Sequence, residues 1–187
     1  MTIEFDSVRA MSAAKVFISR TKEFRDLEHY QSALKDRYGF GSQLSGLDRF
    51  NTKAQKSGYK DIKFFLKMKN GIIGELQLNT SGMLVAKEKE HVIYDILRDA
   101  KDGAETFTIV NKDVLEKVKH HMNPEWFQFI DARIPTVRPQ LAIVSQMVSR
   151  IGGTGATSLT VSKTESEALK TISLALYAQG ENGTALL

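Results

Sequence analysis

The alternation of residues between Asp61 and Asn79 constrains this chain more than any other feature. The segments DIKFFLKM and IIGELQLN flank Lys69-Asn70-Gly71, and each alternates apolar with polar residues at the period of a β-strand. In the first arm Ile62, Phe64, Leu66 and Met68 share one face and leave Asp61, Lys63 and Lys67 on the other. In the second arm Leu76 and Leu78 oppose Glu75, Gln77 and Asn79. A two-residue Asn-Gly turn would pair Phe64 with Gln77 and put the two apolar sets on opposite faces. A three-residue loop with Gly71 in the left-handed conformation pairs Lys63 with Gln77 and keeps each face uniform. The longer turn is therefore expected, with one apolar face and one carrying Lys63, Lys67, Glu75, Gln77 and Asn79.

The rest of the chain is read by the same periodicities. AAKVFIS, residues 13 to 19, is short and β-prone. From about Lys22 to Tyr38, Phe24, Leu27, Tyr30, Leu34 and Tyr38 recur at helical spacing. NTKAQKSG, from Asn51 to Gly58, has no apolar period and reads as a basic loop. A helix is expected over about Gly82 to Ala100, burying Val85, Ala86, Val92, Ile93, Ile96 and Leu97. Its opposite side carries Lys87, His91, Tyr94 and Arg98, the ordinary pattern of a solvated face. Beyond Asp102, ETFTIV reads as a strand and VLEKVKHH as a short helix, and Asn123-Pro124 as a turn into Trp126 and Phe127. A further helix follows Pro139, with Leu141, Val144, Val148 and Ile151 on one stripe. IGGTGATS, from Ile151 to Ser158, reads as a flexible joint. Ser162 with Glu165 forms a capping box for a last helix carrying Ala168, Leu169, Ile172, Ala175 and Leu176, and the tail after it should fray. The expected divisions are 1–101, a helical extension at 102–151, and the joint plus last helix at 152–187.

Composition narrows the function classes. With 187 residues, 42% hydrophobic and 26% charged, the chain can bury an ordinary globular core. No apolar run approaches the roughly 18 residues of a membrane span, and the start has no signal-peptide pattern. A cytoplasmic setting is expected, in the producing cell or in a target cell into which the chain is delivered. The absence of cysteine removes disulfides, thiolate metal sites and cysteine nucleophiles. The net charge of +4 is modest, yet Lys53, Lys56, Lys60, Lys63, Lys67 and Lys69 fall in one span opposed only by Asp61. GGTGATS lacks the lysine of a phosphate loop. His120 and His121 have no third ligand at metal-site spacing and suit a helix C-terminus.

The run from Asp48 to Arg98 resembles the synthetase domain of the RelA/SpoT family of nucleotide pyrophosphokinases. Three motifs carry the resemblance, in the family's order: Gly58-Tyr59-Lys60 after a basic loop, Glu75-Leu76-Gln77-Leu78-Asn79-Thr80 on a strand, and Glu90-His91 with Tyr94 on a helix. Upstream, Asp6-Ser7-Val8-Arg9 is similar to the family's metal-binding DxxR element, so the resemblance spans about residues 5 to 100. It implies an α/β (α+β) fold, with a central mixed, largely antiparallel sheet flanked by helices and a helical C-terminal extension. It further implies that Asp6 and Glu75 coordinate Mg²⁺ with the phosphates of a donor ATP. Glu75 would help deprotonate the acceptor's ribose 3′-hydroxyl, and Tyr59 would stack on its base. Lys56, Lys60, Lys63 and Arg49 would hold acceptor phosphates, with Gln77 and His91 organising the site.

Two departures mark this chain. Lys63 stands where the family often has His, and Asn79 where it often has Arg. The family's ATP-gripping basic residues precede its metal-binding Asp, whereas five residues precede Asp6 here, so that part of the donor site is expected to be lacking. Two functions follow from the resemblance. One is transfer of pyrophosphate from ATP to the 3′-hydroxyl of a purine nucleotide or a tRNA 3′ end, as in a toxin or effector. The other is a catalytically inactive RelA/SpoT-like binding or structural module that has lost its ATP site. Residues 102 to 187 are expected to bind a protein partner or serve delivery.

Overall fold

The structure is a computed structural model that describes residues 1–21, 34–36, 38, 57–98, 100, 104–130, 132–151 and 156–182. The chain divides into two compact units, one of Met1–Val85 with Gly180–Asn182, the other of Ala86–Gln179. The fold class is α+β, as expected.

The first unit is built on a four-stranded sheet. Strand β1 is Thr2–Phe5, β2 is Leu34–Asp36, β3 is Ile62–Lys67 and β4 is Ile73–Thr80, in the order β1-β4-β3-β2. The β3–β4 hairpin has the register that uniform faces demand, with Lys63 opposite Gln77 and Phe64 opposite Leu76. Its loop closes through Met68 N to Ile72 O at 2.8 Å and Gly71 N to Met68 O at 2.9 Å. Gly71 takes φ +82°, the left-handed conformation the longer turn requires. Strand β2 is antiparallel to β3, while β1 runs parallel to β4 with Thr2 opposite Gln77 and Phe5 opposite Thr80.

Helix α1, Val8–Ile18, lies where the sequence suggested a strand. Ser7 caps it, its side chain accepting from Ala10 N at 3.2 Å. Met11, Ala14 and Ile18 share one helical face and pack with Ile62, Phe64, Leu76 and Leu78. The β-branched Val16 and Ile18 suggested a strand, but a 3.6-residue stripe that can bury about 1.5–3 kcal/mol per large side chain outweighs their propensity. The helix expected over Lys22 to Tyr38 is corrected at its end, where Leu34–Asp36 is strand β2. Asp36 is fixed there by Lys15 of α1, whose Nζ donates to Oδ2 at 2.6 Å, and it accepts from Tyr38 N at 2.9 Å. The remainder of that expected helix and the basic loop at 51–56 lie outside the described residues.

Helix α2, Ser81–Leu97, follows β4 directly, its residues from Ala86 onward belonging to the second unit. That unit continues with β5, Thr106–Ile109; α3, Lys112–His121; α4, Pro124–Phe129; α5, Arg138–Ser149; β6, Leu159–Ser162; and α6, Lys163–Asn182, whose last residues from Gly180 belong to the first unit. Val92, Ile93, Ile96, Leu115, Val118, Val144, Met147, Val161, Leu169 and Ile172 meet in one hydrophobic core. Helices α3 to α5 and the β6–α6 segment thus share a core rather than forming the separate parts expected. Strand β6, not expected from the sequence, lies between the end of the predicted joint at Ser158 and the last helix. Leu159 and Val161 point inward while Thr160 is exposed, and the strand pairs antiparallel with β5. The capping box forms as expected: Ser162 Oγ accepts from Glu165 N at 3.3 Å, and Glu165 Oε2 accepts from Ser162 N at 2.8 Å. Among the described residues no helix is long and apolar enough to cross a membrane.

Candidate functional site

The polar face of the β3–β4 hairpin is the most organised polar surface of the first unit. Alternation puts Asp61, Lys63, Glu75, Gln77 and Asn79 on it, and Tyr59 comes in from the segment before β3. Asp61 and Asn79 are fully buried, and Gln77 and Tyr59 nearly so. Buried polar groups are tolerable only when paired, and these are. Gln77 Nε2 donates to Asp61 Oδ2 at 2.5 Å and to the Tyr59 hydroxyl. Asn79 Nδ2 donates to the same hydroxyl at 2.9 Å, and that hydroxyl donates to Asp61 Oδ2 at 3.3 Å. Gln77 Oε1 accepts from Thr2 Oγ1 at 3.4 Å, and Asn79 Oδ1 from Thr80 N at 3.0 Å.

Lys63 and Glu75 stand at the accessible margin of this network, and Lys60 lies apart from it. Lys63 Nζ lies 3.1 Å from Glu75 Oε1 and 3.9 Å from Asp61 Oδ2, bridging the exposed carboxylate and the buried one. Glu75 is 44% exposed at its side chain. Lys60 Nζ pairs with Glu181 Oε1 at 2.5 Å and lies 5.8 Å from the centre of the Tyr38 ring. Burial is the main cause that pushes the Tyr38 hydroxyl up to about 12, and the carboxylates of Glu181, Asp61 and Asp36 add to it against a hydrogen bond from Thr80.

The structure brings the expected site residues together unevenly. Gln77 and Lys63 come together with Glu75. The Tyr59 ring, at 6% exposure, is no open stacking platform; its hydroxyl instead ties Gln77 and Asn79 to Asp61. The shared Mg²⁺ site is corrected. Phe5, the residue before Asp6, pairs with Thr80, five positions beyond Glu75 on the same strand. At about 3.3 Å per residue the parallel register sets Phe5 roughly 16 Å along the sheet from Glu75, and Asp6 is the next residue on, too far for the two side chains to ligate one ion at about 2 Å each. Among the described residues no three His, Asp or Glu side chains converge as a metal site. Asp6 and Glu75, so placed, do not fit one shared ion. Arg49 and Lys56 lie outside the described residues.

The Glu90-His91-Tyr94 motif belongs to the second unit. Glu90 points inward and accepts from Ser173 Oγ at 2.8 Å and Tyr177 hydroxyl at 2.9 Å. Burial pushes its carboxyl above the ordinary range even against those two donors. His91 is exposed, its Nδ1 3.5 Å from Asp95 Oδ2. Burial works to raise Asp95, but Lys117, donating at 2.7 Å, together with His91 and Arg98 holds its carboxyl below the ordinary range. A cavity of about 610 Å³ opens beside these groups, lined among others by Lys89, Lys117, Glu88, Glu125 and Trp126. Its lining mixes these cations and carboxylates with the imidazoles of His91, His120 and His121, and Lys117 is engaged by Asp95.

Asp61, Asn79 and Glu181 were not singled out as site residues in the sequence. The alternation signal that places Gln77 also places Asp61 and Asn79. Glu181 lies in a polar tail that carries no comparable signal. Compared with protein-family models, curated proteins and solved structures, the chain matches none.

Proposed function

We propose that the first unit is a catalytically inactive RelA/SpoT-like module that binds a purine nucleotide by its phosphates. The observation that carries the reading is the Lys63 ammonium, held 3.1 Å from Glu75 over a buried, fully paired polar network. A preorganised cation recognises phosphate without reorganisation at binding. Lys60 supplies a second cation, and the resemblance adds Lys56 and Arg49. Transfer of pyrophosphate demands metal-assisted alignment of donor and acceptor. The parallel β1–β4 register separates the two carboxylates that would hold the metal, which favours binding without transfer.

The test incubates the full chain with radiolabelled ATP, Mg²⁺ and GDP, GTP, adenine nucleotides or tRNA, and measures binding of each by calorimetry. Saturable purine-nucleotide binding without label transfer is expected, weakened by Lys63→Glu about tenfold or more, the scale of one charge-assisted contact. Label transfer that disappears in Glu75→Gln would establish the transferase instead. Failure of every nucleotide to bind at millimolar concentration would remove the module reading.

A further inference from the structure

We infer that Glu181 is an internal competitor for the anionic group that Lys60 holds, so that the end of α6 and the nucleotide exclude each other; this rests on the nucleotide-binding reading. Glu181 Oε1 lies 2.5 Å from Lys60 Nζ, and the two side chains are 39% and 24% exposed. The carboxylate thus stands where a phosphate oxygen would stand against the same ammonium.

The helix end is held there by close backbone packing. A Cβ added at Gly82 would lie 2.4 Å from Gly180 O, so only glycine allows this approach. Gly180–Asn182 belongs to the same compact unit as Lys60 and Gly82. An ion pair so exposed is weak, and a polyphosphate carries more charge than one carboxylate. Glu181 therefore lowers nucleotide affinity modestly without abolishing binding. Linkage makes the effect reciprocal: bound nucleotide loosens Gly180–Asn182 by the same factor.

The experiment titrates the full chain, Glu181→Gln, Lys60→Gln, Lys63→Glu and the Lys60→Gln/Glu181→Gln pair with GTP by calorimetry, and follows amide exchange at 180–182. Glu181→Gln is expected to bind GTP about threefold to fivefold tighter, in keeping with the weakness of an exposed pair. In the Lys60→Gln background the same change should give no gain, and GTP should speed exchange at 180–182 in the unmodified chain. If GTP binds, Lys63→Glu weakens it and Glu181→Gln leaves it unchanged, the competitor is refuted while the module stands. If GTP binds no form, both fall together.

Discussion

Gln77 Nε2 lies 2.5 Å from Asp61 Oδ2, a contact between neighbouring strands that is withdrawn from solvent at both ends. Asp61 accepts from Gln77 and from Tyr59, so its removal leaves buried donors on both without that acceptor, and it takes away the carboxylate that faces Lys63 at 3.9 Å. Asp61→Leu should cost about 2–4 kcal/mol, the scale of buried donors left unpaired beside a charge. Because the chain holds two compact units, the measurement is exchange protection of β3 and β4 amides rather than one global midpoint.

Gly71 offers a cleaner case. Its φ is +82°, and an added Cβ would meet nothing within 4 Å. Gly71→Ala should therefore lose about 1 kcal/mol through backbone conformation alone, and Gly71→Asn less, because Asn tolerates the left-handed region. Equal losses for both, read from hairpin exchange protection, would contradict the assignment.

Gly82 is limited by space instead. Gly82→Ala cannot be accommodated without shifting Gly180, so a loss of about 1–3 kcal/mol is expected, as in other overpacked contacts. Exchange at 180–182 should rise, whereas the β3–β4 hairpin should keep its protection.

Glu90 and Asp95 give the second unit opposite responses to acid. Burial raises the folded Glu90 carboxyl above its ordinary 4.5, so the folded state holds that proton more tightly. Its contribution is most favourable below 4.5 and is lost as pH rises through the folded value. Asp95 is lowered from its ordinary 3.8; its stabilisation is complete above that value and is lost as pH falls through the folded one. Glu90→Gln should raise the stability of the second unit relative to the unmodified chain at pH 7 more than at pH 4. Asp95→Asn should lower it at pH 7, and the loss should shrink as pH falls through the folded value. Exchange protection of α2 and α6 amides, corrected for the intrinsic rate at each pH, checks both signs.

The hairpin was legible because period-two alternation decides between the registers that Lys69-Asn70-Gly71 allows: only the three-residue loop keeps both faces uniform. Helix α2 and the Ser162–Glu165 box were legible because their signals lie within a few turns of chain. Strand β6 has only Leu159 and Val161 to show its alternation, too few to stand out beside a glycine-rich stretch. The β-branched residues of α1 point locally to a strand, and only the sheet beneath Met11, Ala14 and Ile18 decides otherwise. The distance between Asp6 and Glu75 was illegible for a deeper reason: it depends on how β1 aligns with a strand far along the chain, which no local pattern encodes.

The buried pairing of Tyr59, Asp61, Gln77 and Asn79 has a consequence for the order of assembly. Every partner in it comes from one short stretch, with at most 20 positions between bonded residues, whereas Thr2 meets Gln77 across 75. Closing the shorter loop costs less chain entropy, so the hairpin can complete its polar lock while the N-terminal strand is still searching. Pulse-labelled exchange during refolding should show β3 and β4 amides protected before those of β1. Strand β1 would then be secured only after the hairpin it pairs with.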